Sequence, residues 1–325
     1  MNKKLAAALL SMTLLITACG NKKSDTALEN TGKEIKVGVI QFADHVALDR
    51  SRQGFIDKLE RDNYKVNADI VNCQGDLSVI PATVKKFQDD KVDVIYAIAT
   101  PAAQGAKNMV KDIPIIFNAV TDPVKADLVK STEKPEANVT GVSDYFSVEQ
   151  QLNKFREIFP NTKSLGLIYS TGEQNSEAQI KELEKITDEK GIKLNAIGVN
   201  TTNDVPQAMA SLTQKIDSYV AIQDNLASSA ANIISQKLIE SKIPSFAGEE
   251  GPVENGMLMS DGVDYFKLGQ EAGKMAEEIK EGKEIKDIPV FFTKDATRTV
   301  NKQTATELGL RDDKKLFENA KTVER

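Results

Sequence analysis

The stretch VGVIQ, Val37 to Gln41, returns further along the chain as LGLIY, Leu165 to Tyr169. Two more stretches return at nearly the same distance. VDVIYAI at 92–98 reappears as IDSYVAI at 216–222, and the run from Ile113-Pro114 to Asp122-Pro123-Val124 reappears from Ile243-Pro244 to Gly251-Pro252-Val253. The offset stays between 124 and 130 residues. Solenoid repeats have periods of roughly 20–50 residues, so each copy here is a domain-sized half. Two similar halves that face one another enclose a cleft, and clefts between domains are where small ligands bind.

Outward from the copied stretches, short apolar runs alternate with amphipathic segments, the pattern of parallel sheets flanked by helices. Strands are expected at 35–41, 66–72, 93–98 and 114–118, then at 164–169, 193–198, 218–222 and 244–247. Helices fall between them, the first at 49–62 with Asp49 as N-cap and Phe55, Ile56 and Leu59 as its apolar stripe. Later helices are expected near 147–159, 174–190, 204–214 and 226–240. A further helix at 265–281 carries Gly269 and Gly273 four apart, a spacing read as close helix-on-sheet packing. Strands at 288–292 and 297–301 and a short helix with a charged tail break the duplication. The fold class is therefore α/β, with two Rossmann-like lobes joined by three hinge crossovers near 141–144, 260–264 and 291–296. Lobe 1 comprises 34–142 plus 263–292, and lobe 2 comprises 143–262 plus 293–325. Ser143, Asp144 and Asp261 are the hinge candidates.

The first eighteen residues read as an export signal, with Asn2-Lys3-Lys4 ahead of an apolar run too short to span a bilayer. Ile16-Thr17-Ala18-Cys19 resembles the lipobox of bacterial lipoproteins, which implies an acylated Cys19 at the mature N-terminus and an extracytoplasmic, membrane-anchored protein. Residues 19–33 are then a flexible tether, polar and without hydrophobic period. Removing 1–18 takes away two lysines and moves the formal charge from −6 to −8, which argues against a nucleic-acid partner. Cys73 is the other cysteine, so no intrachain disulfide is expected; a buried structural thiol is its reading.

In an open parallel sheet, ligands sit beyond the carboxyl ends of the strands. Thr100-Pro101-Ala102 opens a helix at such an end, where Thr100 as N-cap and the free N–H groups of the first turn attract a carboxylate. Asn175 and Ser176 can donate to the same anion from the other half. The repeat sets Thr100 against Asp224, which stands beside Asn225, and Asp122 adds a second acid at the first lobe's mouth. A zwitterion needs this asymmetry. The sole histidine, His45, and Phe42 are read as pocket-lining, whereas Glu249-Glu250 reads as a solvated acidic loop. A catalytic triad or a zinc site needs a histidine with partners, and there is neither a glycine-rich phosphate loop nor a Cys/His cluster. No enzyme activity, cofactor or metal is expected.

The stretches Ala99 to Gln104, Ala119 to Pro123, Asn138 to Asp144 and Asp224-Asn225 resemble those of substrate-binding lipoproteins of bacterial ABC importers, with the type I periplasmic-binding-protein fold. Within that family the chain is similar to the branch associated with aromatic amino acids (tryptophan, phenylalanine, tyrosine). The resemblance implies that Thr100 and Ala102 hold a ligand carboxylate, that Asn175 and Ser176 close on it, and that Asp224 or Asp122 meets the ammonium. It also implies an ABC permease and its ATPase as partners of a monomer. Asp44-His45-Val46-Ala47-Leu48-Asp49 departs from the family's usual Glu-His-Pro-Ala-Leu-Asp, with valine in place of proline beside the pocket. The alternatives are a nucleoside or sugar in the same clamshell, or a two-domain α/β enzyme. Aromatic residues make up only 6% with no tryptophan, which disfavours the ring stacking typical of sugar sites.

Overall fold

The computed structural model describes residues 33–324. The signal peptide, Cys19 and the tether up to residue 32 lie outside the described residues; Lys33 already opens the first strand. From there β1 (Lys33–Gln41), α1 (Val46–Arg61), β2 (Tyr64–Asn72), α2 (Ile80–Asp89) and β3 (Val94–Ile98) follow in turn. Next come α3 (Thr100–Met109), β4 (Ile115–Asn118) and β5 (Val139–Ser143). The second half runs α4 (Val148–Ile158), β6 (Ser164–Ser170), α5 (Gln174–Glu189), β7 (Lys193–Val199), α6 (Val205–Leu212) and β8 (Ser218–Ala221). It continues through α7 (Asn225–Ser229), α8 (Ala231–Glu240), β9 (Ser245–Glu249), α9 (Gly251–Glu254) and β10 (Met259–Val263). The chain ends with α10 (Tyr265–Lys280), β11 (Phe291–Phe292), β12 (Thr297–Asn301), α11 (Lys302–Glu307), α12 (Lys314–Phe317) and β13 (Lys321–Val323).

The two sheets repeat one topology. The first has the order β2-β1-β3-β4-β5-β11 with every pair parallel. The second has the order β7-β6-β8-β9-β10-β12-β13, parallel except where β12 lies antiparallel to β10. The copied residues have copied roles. Asp93 accepts the N–H of Lys36 at 2.8 Å, and its repeat mate Asp217 accepts those of Lys163 and Ser164 at 3.0 Å. At Gly38 a Cβ would lie 2.3 Å from the Phe87 ring of α2, and at Gly166 2.6 Å from Ile216. The glycine in VGVIQ and LGLIY therefore lets an apolar side chain lie flat on the strand.

Three sequence expectations shift. The segments at 141–144 and 260–264, expected as crossovers, are the fifth strands of their sheets, and each carries its sheet one residue past the expected lobe boundary. The chain crosses immediately afterwards, at 144–147 and at Asp264, and a third time at 293–296. Helix α1 starts at Val46 with His45 in the capping position, so Asp49 lies in the first turn instead, where it accepts from Gln41 and pairs with Arg52. The tail is two short helices and a terminal strand, β13, parallel to β12.

The first two crossings each deliver a helix to the other lobe. After β5, α4 buries Phe155 against Phe246 of β9 with ring centroids 4.6 Å apart. Full burial of such a ring stabilises by about 1.5–3 kcal/mol. After β10, α10 returns to the first lobe and packs on α1, with Leu268, Ala272 and Ala276 in that lobe's core. The glycines at 269 and 273 serve this helix-on-helix contact, not the helix-on-sheet contact expected: a Cβ at Gly269 would lie 2.1 Å from the Ser51 carbonyl oxygen. Cys73 is buried as expected, and burial pushes its thiol up to about 11.

Candidate functional site

The carboxyl ends of the two sheets face one another across a cleft. Its mouth, of ≈ 800 Å³, is bordered by Phe42, Asp44, Pro101, Glu173, Asn225 and Ser229 among others. Deeper between the lobes it narrows to a cavity of ≈ 10 Å³, about the size of one water. His45, Ala119, Thr121 and Tyr265 meet Asn175, Gln223, Asp224, Asn225 and Glu249 there, with Asp144 of the first crossover between them. The lobes are latched around it. His45 Nε2 lies 3.2 Å from Asn225 Oδ1, Gln104 donates to Gln174 Oε1 at 2.7 Å, and Arg50 of α1 pairs with Glu250 and Glu254.

Within this cavity the polar atoms fall into two groups. Asp224 is fully engaged: its carboxylate accepts from Ser170 N at 2.6 Å, Ser176 Oγ at 2.6 Å and Ala227 N at 2.7 Å, and it caps α7. Ser176 is spent on that bond, and Asn175 Nδ2 donates to the Gln223 carbonyl at 2.8 Å. Neither is therefore the free donor for an anion that the sequence reading expects of both. Glu173 binds the Asn225 and Leu226 N–H groups at 3.1 Å each, so it too is an internal cap. The second group has no partner among the described residues. Asp144 Oδ1, Asn175 Oδ1, Glu249 Oε1 and Gln223 Nε2 are buried and unbonded, on side chains at most 8% exposed. A buried polar atom without a partner costs about 1–3 kcal/mol. Four such atoms converge on this one cavity.

The electrostatics agree. Burial pushes Glu249 up to about 8, reinforced by the charges of Glu254 and Asp144 against the lowering effect of the Gly251 N–H and Arg50. Burial also raises Asp144, although the Tyr265 hydroxyl opposes it. Glu173 rises to about 7 through burial and the charge of Asp224. Burial holds His45 below its ordinary range, hence neutral near pH 7. Among the described residues, no lysine or arginine lines the cavity. The site is thus acid-rich and lacks a cation.

Of the residues singled out from sequence, His45, Asn175, Asp224 and Asn225 come together at the cavity and Phe42 borders the mouth. Asp122 does not. Its carboxylate starts the turn after β4, accepting Lys125 N at 2.9 Å and pairing with Lys125 Nζ at 3.1 Å. Thr100 is the first residue of α3, and the capping position falls to Ala99, held at φ 83° and ψ 153°. That region is left almost entirely to glycine, and such strain clusters at ligand sites. The Thr100 hydroxyl is buried without a partner, and Ala102 is fully buried in the same turn. Ser143 ties its hydroxyl to the Thr121 carbonyl at 3.1 Å, whereas Asp261 lies inside β10 and is paired with Arg298 at 2.8 Å. Glu249 and Glu250 are buried rather than solvated, because opposing residues of the first lobe cover them. Gln223 and Tyr265 are not singled out from sequence, and Asp144 is read only as a hinge; the carboxyl-end rule points to the ends of β8 and β9, where Gln223 and Glu249 lie, but cannot tell which atoms stay unpaired.

Comparison with known proteins matches this geometry. The model of a family described as ABC transporter substrate binding protein matches residues 36–324. A tyrosine-binding protein from Clostridioides difficile (strain R20291) is 40% identical over 312 residues, 94% of this chain and 90% of that protein. A structure of an ABC domain in complex with L-Trp from Streptococcus pneumonia is 34% identical, covering 90% of this chain and all of that one, with a TM-score of 0.84. The ligand-free, open structure of a substrate binding protein with adhesive properties from Clostridium difficile is 39% identical, covers 89% of this chain and 99% of that one, and has a TM-score of 0.69. The chain superposes more closely on the L-Trp complex than on the ligand-free, open structure. The chain belongs to the ABC transporter substrate-binding proteins, the extracytoplasmic components that capture a small molecule and hand it to a membrane permease.

Proposed function

We propose that the protein captures an aromatic L-amino acid between its lobes. One observation carries the reading: three unpartnered buried acceptors, on Asp144, Asn175 and Glu249, converge on a cavity without a lysine or arginine. An α-ammonium brings three donors and one positive charge, and charge-assisted hydrogen bonds are about twice as strong as neutral ones. Gln223 Nε2 remains at the cavity as a donor for the carboxylate, while the Thr100 hydroxyl, also buried without a partner, lies outside the cavity lining. The names of the relatives, one a tyrosine-binding protein and one a complex with L-Trp, support an aromatic side chain. A nucleoside or sugar has no cation to offer, so the Glu249 carboxyl, pushed up to about 8 by burial, would stay protonated beside it, whereas an ammonium would hold it ionised. Since a cavity of ≈ 10 Å³ cannot admit an amino acid, capture requires the lobes to part and close again. The ligand favours the closed form only through its differential affinity for it.

Thermal melting of residues 20–325 against the standard amino acids, a nucleoside and a sugar tests the assignment. At 100 times its dissociation constant a ligand adds about 2.7 kcal/mol, a shift of a few degrees. A shift confined to tryptophan, tyrosine and phenylalanine is expected. A shift with the nucleoside or sugar alone would overturn the reading.

The same reading makes the protein a monomer anchored by lipid on Cys19, with no nucleic-acid partner. No helix among the described residues is long and apolar enough to cross a membrane. In cell fractionation, Cys19→Ser should move the protein from the membrane fraction to the soluble one. A variant that stays with the membrane would rule out this anchor.

A further inference from the structure

Asp144 uses its two oxygens differently. Oδ2 accepts from the Tyr265 hydroxyl at 2.5 Å, while Oδ1 is buried and unpartnered at the cavity. The two residues belong to different crossovers. Asp144 follows β5, where the chain leaves the first lobe, and Tyr265 opens α10, where it returns. Both side chains are at most 3% exposed, and both line the cavity. The backbone holds each in place: Asp144 N donates to the Val120 carbonyl at 3.4 Å, and Asp264 caps α10 through the N–H groups of Phe266 and Lys267. Tyr265 stays a phenol, its ionisation suppressed first by burial and then by the charges of Asp144 and Glu249.

Resting on the amino-acid reading above, we infer that Tyr265 is a positioning residue: its hydroxyl ties the first crossover to the second through Asp144 and aims the free Asp144 oxygen at the ligand's ammonium. The same bond serves two ends. It stabilises the Asp144 carboxylate, which must be ionised to hold a cation, and it fastens the two crossing segments side by side. The groups facing Asp144 are the Tyr265 hydroxyl from α10, Thr121 from the β4–β5 connection and Glu249 from β9. Tyr265, Thr121 and a backbone N–H oppose its protonation, Tyr265 most strongly; the charge of Glu249 does not. Loss of the phenol should therefore raise the Asp144 pKa, and binding should become dependent on ionisation of that acid as pH rises.

The test is Tyr265→Phe, which keeps the ring and removes the hydroxyl. Titration calorimetry with L-tryptophan and L-tyrosine, from pH 6 to 8.5, is compared for wild type, Tyr265→Phe, Asp144→Asn and the double variant. Near neutral pH Tyr265→Phe should bind about 10- to 100-fold more weakly, the loss of one hydrogen bond to a charged acceptor. The deficit should shrink as pH rises, because a raised acid ionises only at higher pH. Asp144→Asn should lose at least as much, its deficit relative to wild type should not shrink at high pH, and on that background Tyr265→Phe should add less than threefold. X-ray scattering of the saturated Tyr265→Phe protein should also show a larger radius than saturated wild type. Wild-type affinity and pH profile in Tyr265→Phe would overturn the inference alone, as would an undiminished effect on the Asp144→Asn background. Failure of the wild-type protein to bind either amino acid would instead overturn the ligand assignment, and the inference with it.

Discussion

Replacing Gly269 by valine should cost about 3–5 kcal/mol, a large share of the 5–15 kcal/mol that stabilises a typical folded domain. The cause is backbone against backbone. An ideal Cβ on Gly269 would sit 2.1 Å from the Ser51 carbonyl oxygen and 2.9 Å from Phe55 N, atoms that cannot swing aside as a side chain can. The Ser51 carbonyl is itself held by the Tyr96 hydroxyl at 3.1 Å, and Phe55 stacks on Tyr96 with centroids 4.1 Å apart. Helix α10 must therefore lift from α1, pulling Leu268, Ala272 and Ala276 from the core. Overpacking of a rigid core usually costs about 1–3 kcal/mol; an obstacle of main chain on a two-helix seam belongs above that range. Denaturant midpoints measure the effect. Gly172→Ala is the control, since the nearest atom to its Cβ is 3.9 Å away, and it should change stability by less than about 0.5 kcal/mol. A loss below about 1 kcal/mol for Gly269→Val would mean that the two helices are free to slide apart.

The same sterics explain what the sequence hides. The paired strands were legible because apolar runs such as VGVIQ and LGLIY recur with their flanking turns. The fifth strands were not, since Val139–Ser143 and Met259–Val263 carry threonine, serine, aspartate and glycine and read as connection. Their glycines weaken strand propensity, yet each is required by a neighbouring carbonyl. A Cβ at Gly141 would meet the Phe117 oxygen at 2.1 Å, and one at Gly262 the Gly248 oxygen at 1.8 Å. Tight pairing at the crossovers thus leaves a trace that local propensity misreads. Site chemistry divides the same way. The strand-end rule finds the segments, because topology places them. It does not find the contacts, because whether an acid is spent or free depends on donors distant in sequence: Ser170, Ser176 and Ala227 engage both oxygens of Asp224, whereas Asp144 keeps one oxygen unpartnered beside the one that Tyr265 holds.

Asp224→Asn should separate these two kinds of acid. Asp224 was expected to meet a ligand ammonium, in which case the amide would leave the fold intact and collapse the affinity. The structure gives the opposite expectation. Two of its three donors are main-chain N–H groups, Ser170 N and Ala227 N, on opposite oxygens of the carboxylate. An amide can accept on one side only, so one N–H must face an NH2 group that cannot accept, and neither backbone can turn away. The Ser176 hydroxyl can rotate, so its share is recoverable. Losing a hydrogen bond to a charged acceptor and stranding a buried donor together cost about 3 kcal/mol. Asp224→Asn should therefore lower the unfolding free energy by that amount, read from the shift in denaturant midpoint, while its affinity for aromatic amino acids, measured well below the melting temperature, falls less than tenfold. Asp144→Asn should do the reverse, with stability nearly kept and affinity lost, because a free buried oxygen is relieved of charge but its ligand contact is weakened. If Asp224→Asn keeps its midpoint and loses binding, the ammonium lies at Asp224, and the division of this cavity into spent and free acids is wrong.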